Sequence, residues 1–199
     1  MTKRRASYCP YCGAELISRA FEGRDRQFCP DCERFVFQNP TPGANVVIID
    51  GGGQSPPSSA AKPHDCDSVL LIERAIKPDI GTWAVPGGIL EVDESPRVGA
   101  ARELEEEAGL SVDPAALELV RTALDVDDPD DGSYLSICFA VERENTRGSP
   151  RPGAETSGAR FWSVAELADG TTAVRPQDRR RVEAAVERLR GETLALGDR

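Results

Sequence analysis

Residues 88 to 110 read Gly88-Ile-Leu-Glu-Val-Asp-Glu94-Ser-Pro-Arg-Val-Gly-Ala-Ala-Arg102-Glu103-Leu-Glu-Glu106-Glu107-Ala-Gly109-Leu110. Ser95-Pro96 is a helix N-cap followed by proline at the first helical position, and Gly109 is a C-terminal stop, so the stretch predicts a helix over 96–108. On it Glu103, Glu106 and Glu107 stand at i, i+3 and i+4 and share one face, while Ala100, Ala101, Leu104 and Ala108 make the neighbouring apolar face. Like charges at those spacings cost roughly a few tenths of a kcal/mol per exposed pair, and more where desolvated. Two readings follow. The face is a solvated one in an acidic protein, or a hard divalent cation such as Mg²⁺ offsets the repulsion and leaves positions for water and phosphate oxygens.

Around this helix the apolar runs at 44–50, 68–73, 117–124 and 134–141 read as strands, as does Ala159-Arg-Phe-Trp162. Pro176 opens a last helix, with Val182, Ala185, Val186 and Leu189 facing the core and Gly191 ending it. Its Arg179-Arg180-Arg181 run reads as a wet face. Strands interrupted by one helix and closed by another make an α/β domain. Residues 51–67, rich in glycine, proline and serine, read as a flexible insertion, and its His64 and Cys66 are given no function. Five aspartates between Asp125 and Asp131 read as a solvated turn.

Four of the six cysteines form the pairs Cys9-Pro-Tyr-Cys12 and Cys29-Pro-Asp-Cys32, with 16 residues between Cys12 and Cys29. Two such knuckles at the ends of a hairpin, whose tip is Glu22-Gly23-Arg24, complete the tetrahedron that Zn²⁺ accepts. Disulfides and a redox pair are the competing readings; a cytosolic setting and the lack of a thioredoxin-like strand and helix disfavour both. With four protein ligands the zinc site is closed and structural, and a segment of about 38 residues needs the metal to fold. The expected organisation is a zinc ribbon over 1–38 and the α/β domain over 39–199.

Lys plus Arg number 24 against 34 Asp plus Glu, a net charge of −10, so the overall field argues against passive nucleic-acid binding. Residues 1–38 alone are basic, with seven Lys or Arg against five acids. No apolar run reaches the roughly 18 residues of a membrane helix. No apolar stretch follows the basic start, so the expected location is cytoplasmic.

The spacing Gly88, five residues, Glu94, seven residues, then Arg102-Glu103-Leu104-x-Glu106-Glu107-x-Gly109-Leu110 resembles the Nudix box at each of its nine defined positions. Gly81-Thr-Trp83-Ala-Val-Pro-Gly87-Gly88 resembles the family's approach to the box, and the cysteine pairs with Gln38-Asn39-Pro40 resemble its ribbon-bearing members. The resemblance implies an α/β/α sandwich with a mixed sheet, and hydrolysis of a nucleoside diphosphate linked to another moiety, such as ADP-ribose, FAD or a related dinucleotide. It implies Mg²⁺ or Mn²⁺ held by Glu103, Glu106, Glu107 and Glu94. Glu106 and Glu107 are the catalytic candidates of the box, and Arg102 orients its carboxylates. The general base comes from the box or from a later loop, where Glu155 in Pro152-Gly-Ala-Glu155 is the candidate. Trp83, Tyr134 or Trp162 are candidates to stack on a base, or are core. The expected partner is a small nucleotide, with no membrane and with a homodimer as a common assembly among relatives. The alternative is a nucleotide sensor, an RNA-binding protein or a decapping enzyme whose ribbon touches nucleic acid.

Overall fold

Residues 44–50 alternate along a strand that is apolar on both sides, so one segment seeds two cores. Val47 and Ile49 pack into one with Val69, Leu71, Cys138 and Ala140. Val46 and Ile48 pack into the other with Leu70, Ile72, Phe139 and Val141. A sheet buried on both faces needs a helical layer on each. The computed structural model, which describes residues 6–52, 67–128, 132–191 and 193–196, has that architecture.

Among the described residues, β1 (Ile17–Phe21), β2 (Arg24–Cys29) and β3 (Arg34–Val36) form a separate antiparallel sheet. The central mixed sheet contains β4 (Thr41–Gly51), β5 (Asp67–Arg74), β6 (Trp83–Ala84), β7 (Gly87–Ile89), β9 (Glu118–Asp128), β10 (Gly132–Glu142) and β12 (Thr156–Ser163), its main path running β12-β5-β4-β10-β9. The short β8 (Ser111–Val112) and β11 (Thr146–Arg147) pair with each other. Helix α1 (Pro96–Ala108) covers one face through Ala100, Leu104 and Ala108. Helices α2 (Val164–Ala168) and α3 (Pro176–Arg190) cover the other through Val164, Leu167, Val182, Ala185 and Val186. By contact the chain divides into one unit of Met1–Thr41 with Leu124–Leu135 and a second of Pro42–Ala123 with Ser136–Arg199.

A fork in the sheet positions the site. Strands β4 and β5 pair from Ile49↔Val69 to Gly51↔Asp67, then part. Beyond the split β5 pairs with β6 at Ile72↔Ala84, and β4 pairs with β7 from Gly43↔Ile89 to Asn45↔Gly87. The segment Trp83–Ile89 therefore wedges into the fork, where the Val46 N–H donates to the Pro86 carbonyl at 3.0 Å. Its glycines meet the side of α1.

In the first unit the turn between β1 and β2 has positive φ at both Glu22 (50°) and Gly23 (73°), the pair of left-handed residues that a two-residue hairpin requires. Each cysteine knuckle ends on a left-handed residue as well, Gly13 (76°) after Cys12 and Glu33 (50°) after Cys32. The two knuckles repeat one backbone path, although only the first has a glycine to ease it.

Three sequence expectations need correction. Arg179 and Arg181 are buried at 3% and 4% exposure, not wet. Arg179 donates to the carbonyls of Leu167, Thr172 and Leu196, and Arg181 to Asp178 at 2.6 Å and Ser136 Oγ at 3.1 Å. Ser136 in turn donates to Asn45 Oδ1, so a buried polar chain ties α3 to the sheet. Asp125 to Asp128 continue strand β9 and are not turn; 129–131 lie outside the described residues. Gly51 and Asp67 belong to β4 and β5, and the buried Asp67 carboxylate pairs with Arg190 at 2.9 Å; the rest of the insertion, His64 and Cys66 included, lies outside the described residues but for residue 52.

Candidate active site

Helix α1 starts on Pro96 after an extended Ser95 whose side chain makes no capping bond, and stops at the left-handed Gly109, whose N–H returns to the Glu105 carbonyl. Its apolar stripe is fixed against the sheet, which sets the direction of the adjoining acidic face. Glu107 is buried at 8% exposure and accepts from the Gly87 N–H at 2.8 Å. Glu103 is largely buried, whereas the Glu106 side chain is 59% exposed. A Cβ at Gly88 would fall 2.4 Å from Glu103 Oε1, so the wedge approaches the helix closely because position 88 has no side chain.

Arg102 holds the group together. It grips Glu94 through two bonds, Nε to Oε2 at 3.0 Å and Nη2 to Oε1 at 2.7 Å. Through Nη1 it also donates to Glu103 at 2.8 Å and Glu106 at 3.0 Å, and through Nη2 to the Ile89 carbonyl at 3.2 Å. One guanidinium thus orders three carboxylates. Its hydrogen bonds, with the Glu91 N–H, hold Glu94 below the usual carboxylate range. Burial pushes Glu103 up against the pull of Arg102. Burial likewise raises Glu107 to about 7, with Glu103 and Glu155 adding repulsion and the Gly87 N–H and Arg74 opposing it.

The later loop comes to the same place. The Arg151 N–H donates to the Ala108 carbonyl at 2.9 Å, and Thr156 Oγ1 donates to the Glu107 carbonyl at 2.9 Å. A Cβ at Gly153 would lie 1.7 Å from the Glu106 carbonyl oxygen, so the loop lies directly on the helix backbone. Glu155 is anchored by its carbonyl, which accepts from the Ala75 N–H at 2.9 Å, and its charge acts on Glu103 and Glu107. The structure therefore brings Glu94, Arg102, Glu103, Glu106, Glu107 and Glu155 together. The sequence reading gives no role to Arg74 or Thr156 and does not foresee the contacts that Gly87 and Gly153 make with α1. The glycine and threonine beside Glu155 were a visible signal of close packing; Arg74, at the end of a strand, gave none.

Trp83 and Trp162 are half-buried against the core and meet edge to face, with centroids 4.9 Å apart and the Arg160 guanidinium 3.3 Å from the Trp162 ring centre. Tyr134 is half-buried on β10.

The donor set suits a hard divalent cation, because carboxylate oxygens outnumber the one guanidinium among them and two acids are raised by burial. In the arrangement seen, Arg102 and the Gly87 N–H occupy these oxygens. Among the described residues, the group of at least three potential ligands whose atoms all lie within 4.8 Å is a different one, Cys9, Cys12, Cys29 and Cys32. Their sulfurs are 3.9 Å apart for Cys9–Cys32 and 3.5 Å for Cys12–Cys29, near the edge of about 3.8 Å that a zinc tetrathiolate needs. All four are free thiols, and they can hold zinc. Burial opposes ionisation at Cys9, but the Tyr11 and Cys12 N–H groups and the nearby thiols bring it down to about 7.

The raised Glu107 has a consequence for stability. Between its unfolded value of 4.5 and its folded value of about 7 the folded chain keeps a proton that the unfolded chain has lost. Its contribution is thus fully present below about pH 4.5 and lost as pH rises through 7. Glu107→Gln should make the metal-free protein more stable than the parent above pH 7, by up to about 3 kcal/mol, with the difference closing on acidification. Urea melts at pH 5 and pH 8 measure this; an equal gain at both would overturn the burial argument.

No described helix is long and apolar enough to cross a membrane. The NUDIX domain family matches residues 40–185. The chain is similar to a Mycobacterium tuberculosis protein named putative 8-oxo-dGTP diphosphatase 3, at 30% identity over 55% of this chain and 51% of that one. It is also 30% identical, over 51% of this chain and 57% of the other, to a Methanocaldococcus jannaschii protein named ADP-ribose pyrophosphatase. The chain spans about half the length of these curated relatives. A crystal structure of a NUDIX hydrolase from Nitrosomonas europaea superposes with a TM-score of 0.60 at 26% identity, covering 94% of this chain and 95% of that one. A match over residues 40–185 that takes in the carboxylate-bearing helix, the wedge and the Glu155 loop leaves one conclusion, that the chain belongs to the Nudix hydrolase family.

Proposed function

We propose that this protein hydrolyses the diphosphate bond of a nucleoside diphosphate linked to a second moiety, ADP-ribose, FAD or a related dinucleotide, with Mg²⁺ or Mn²⁺. The observation that carries the reading is the packing of the Glu155 loop on the backbone of α1, through Gly153 at Glu106 and Thr156 at Glu107, beside the buried Glu103 and Glu107. In this reading Glu103, Glu106 and Glu107, with Glu94, hold the cation, which when bound neutralises phosphate oxygens and acidifies a water. Arg102 orients the carboxylates. A water oxygen adds to phosphorus, the bond to the bridging oxygen breaks, and a carboxylate takes the proton of the water, a role this reading gives to Glu155. The Trp83–Trp162 pair, with Arg160, is the candidate wall for an aromatic base. The relative named for ADP-ribose supports this substrate class, and the one named for 8-oxo-dGTP makes nucleoside triphosphates the necessary comparison. The same proposal assigns residues 1–38 to a zinc ribbon and 39–199 to the catalytic domain.

The test is a turnover screen with Mg²⁺ and Mn²⁺ against ADP-ribose, FAD, NADH, 8-oxo-dGTP and ordinary dNTPs, following release of nucleoside monophosphate. Glu155→Gln should lower kcat by about a hundredfold and leave KM within a few fold. Near-normal turnover would return Glu155 to an ordinary loop residue. Preference for triphosphates would overturn the substrate class.

A further inference from the structure

The three strands of the first unit have two unlike faces. Opposed residues of an antiparallel pair lie on the same side, so Gln27↔Val36 and Cys29↔Arg34 define one face and Phe28↔Phe35 the other. The first face turns to the cysteine knuckles, where Cys29 and Val36 pack with Cys9 and Leu16. The second carries Arg19 opposite Arg26, Phe21 opposite Arg24, and Ile17 opposite Phe28. None of the strand residues on it is acidic, in a chain where acids outnumber bases by ten.

The rings form a ladder. Phe35 lies 4.5 Å from Phe21, 5.0 Å from Phe28 and 6.4 Å from Phe37, centroid to centroid. Arginines interleave with them: Arg19 sits 4.5 Å over Phe28, and Arg26 sits 4.9 Å over Phe37. Phe21 is 37% and Phe37 50% exposed, and no described residue makes an ion pair with Arg19, Arg24 or Arg26. Guanidinium groups left unpaired beside solvent-facing rings are matched to an anion that also offers flat aromatic surface.

We infer that this face binds single-stranded nucleic acid, its rings stacking on bases and its arginines meeting phosphates. Duplex is the poorer fit, because its bases are stacked inside and closed to an aromatic platform. The net charge of −10 does not oppose this, since at physiological salt a field is screened beyond roughly 8 Å and the face itself is cationic. The inference goes beyond the proposed diphosphatase and does not depend on it.

The test uses the full-length zinc-loaded protein and fluorescence anisotropy with labelled 12-nucleotide RNA, single-stranded DNA and duplex DNA. Single strands should bind, with affinity falling by about tenfold to twentyfold between 50 and 200 mM salt for three phosphate contacts. Arg19→Glu with Arg24→Glu should flatten that salt dependence, and Phe21→Ala with Phe37→Ala should weaken binding by about tenfold or more at either salt. One zinc per chain in each variant shows that the ribbon has folded, and unchanged turnover of a free dinucleotide separates this result from the catalytic reading. No binding at 50 mM salt, preference for duplex, or binding unchanged by the substitutions would overturn it. So would a parent dimer that the phenylalanine variant dissolves, which would assign the face to a second copy of the chain.

Discussion

Glutamine at position 106 should reduce diphosphate hydrolysis by about a thousandfold while the protein keeps its fold. The side chain is 59% exposed and makes an ion pair with Arg102 at 3.0 Å, so an isosteric amide disturbs little of the core. The charge is what matters. A phosphate anion repels an incoming nucleophile, and a site that overcomes this does so with cations held by fixed carboxylates. Removing one of those charges weakens the cation and misplaces the water together, which is why single substitutions in such sites cost several kcal/mol in the transition state. The variant should bind Mn²⁺ more weakly by calorimetry and melt within a few degrees of the parent. A loss of turnover under tenfold would exclude Glu106 from the cation's ligands.

The candidate site was legible in the sequence wherever its residues lay on one helix. Spacing alone put Glu103, Glu106 and Glu107 on a face, and proline and glycine set the ends of α1, because helical geometry is local. Which of the three acids is buried was not legible. Glu107 is raised to about 7 because the wedge of β6 and β7 closes over it, and that wedge exists because β4 and β5 part beyond Ile49 and Val69. A fork depends on three strand pairings whose partners stand from Glu73↔Trp83 to Gly43↔Ile89 apart in the chain, and no local pattern records their combination. Glu155 stood between these cases: the motif resemblance selected it, and contacts of Gly153 and Thr156 with the backbone of α1 bring it in.

Two of the three misread segments share a cause. By side-chain polarity alone, three arginines in a row suit solvent. Yet Asp178 beside them is fully buried, and the carbonyls of Leu167, Thr172 and Leu196 need donors where chain segments meet under α3. A buried arginine satisfies several carbonyls at once, so tertiary hydrogen bonding outweighed composition. Asp125 to Asp128 read as a turn because aspartate is poor in strands, whereas strand β9 continues through them as the partner of β10.

Removal of the zinc proposed for Cys9, Cys12, Cys29 and Cys32 should unfold strands β1 to β3 and leave the second unit folded. The buried apolar group of the ribbon is Cys9, Leu16 and Cys29, with Ala6, Ala14, Cys32 and Val36 partly buried, so three of its seven members are themselves proposed ligands. Little apolar burial remains once the metal no longer holds the thiolates together, and the metal then supplies most of the folding free energy. Among the described residues, the helix-covered cores contain none before Ala44 and have no such dependence. Chelation, or Cys29→Ser at the most buried ligand, should release one zinc per chain and abolish hydrogen-exchange protection across β1 to β3. Protection in β4, β5 and α3 should persist, and the main thermal transition should move by only a few degrees. Retained protection in β1 to β3 after the zinc has gone would show that the Phe and Arg face, rather than the metal, holds the ribbon together, and would remove the zinc site from the account of its stability.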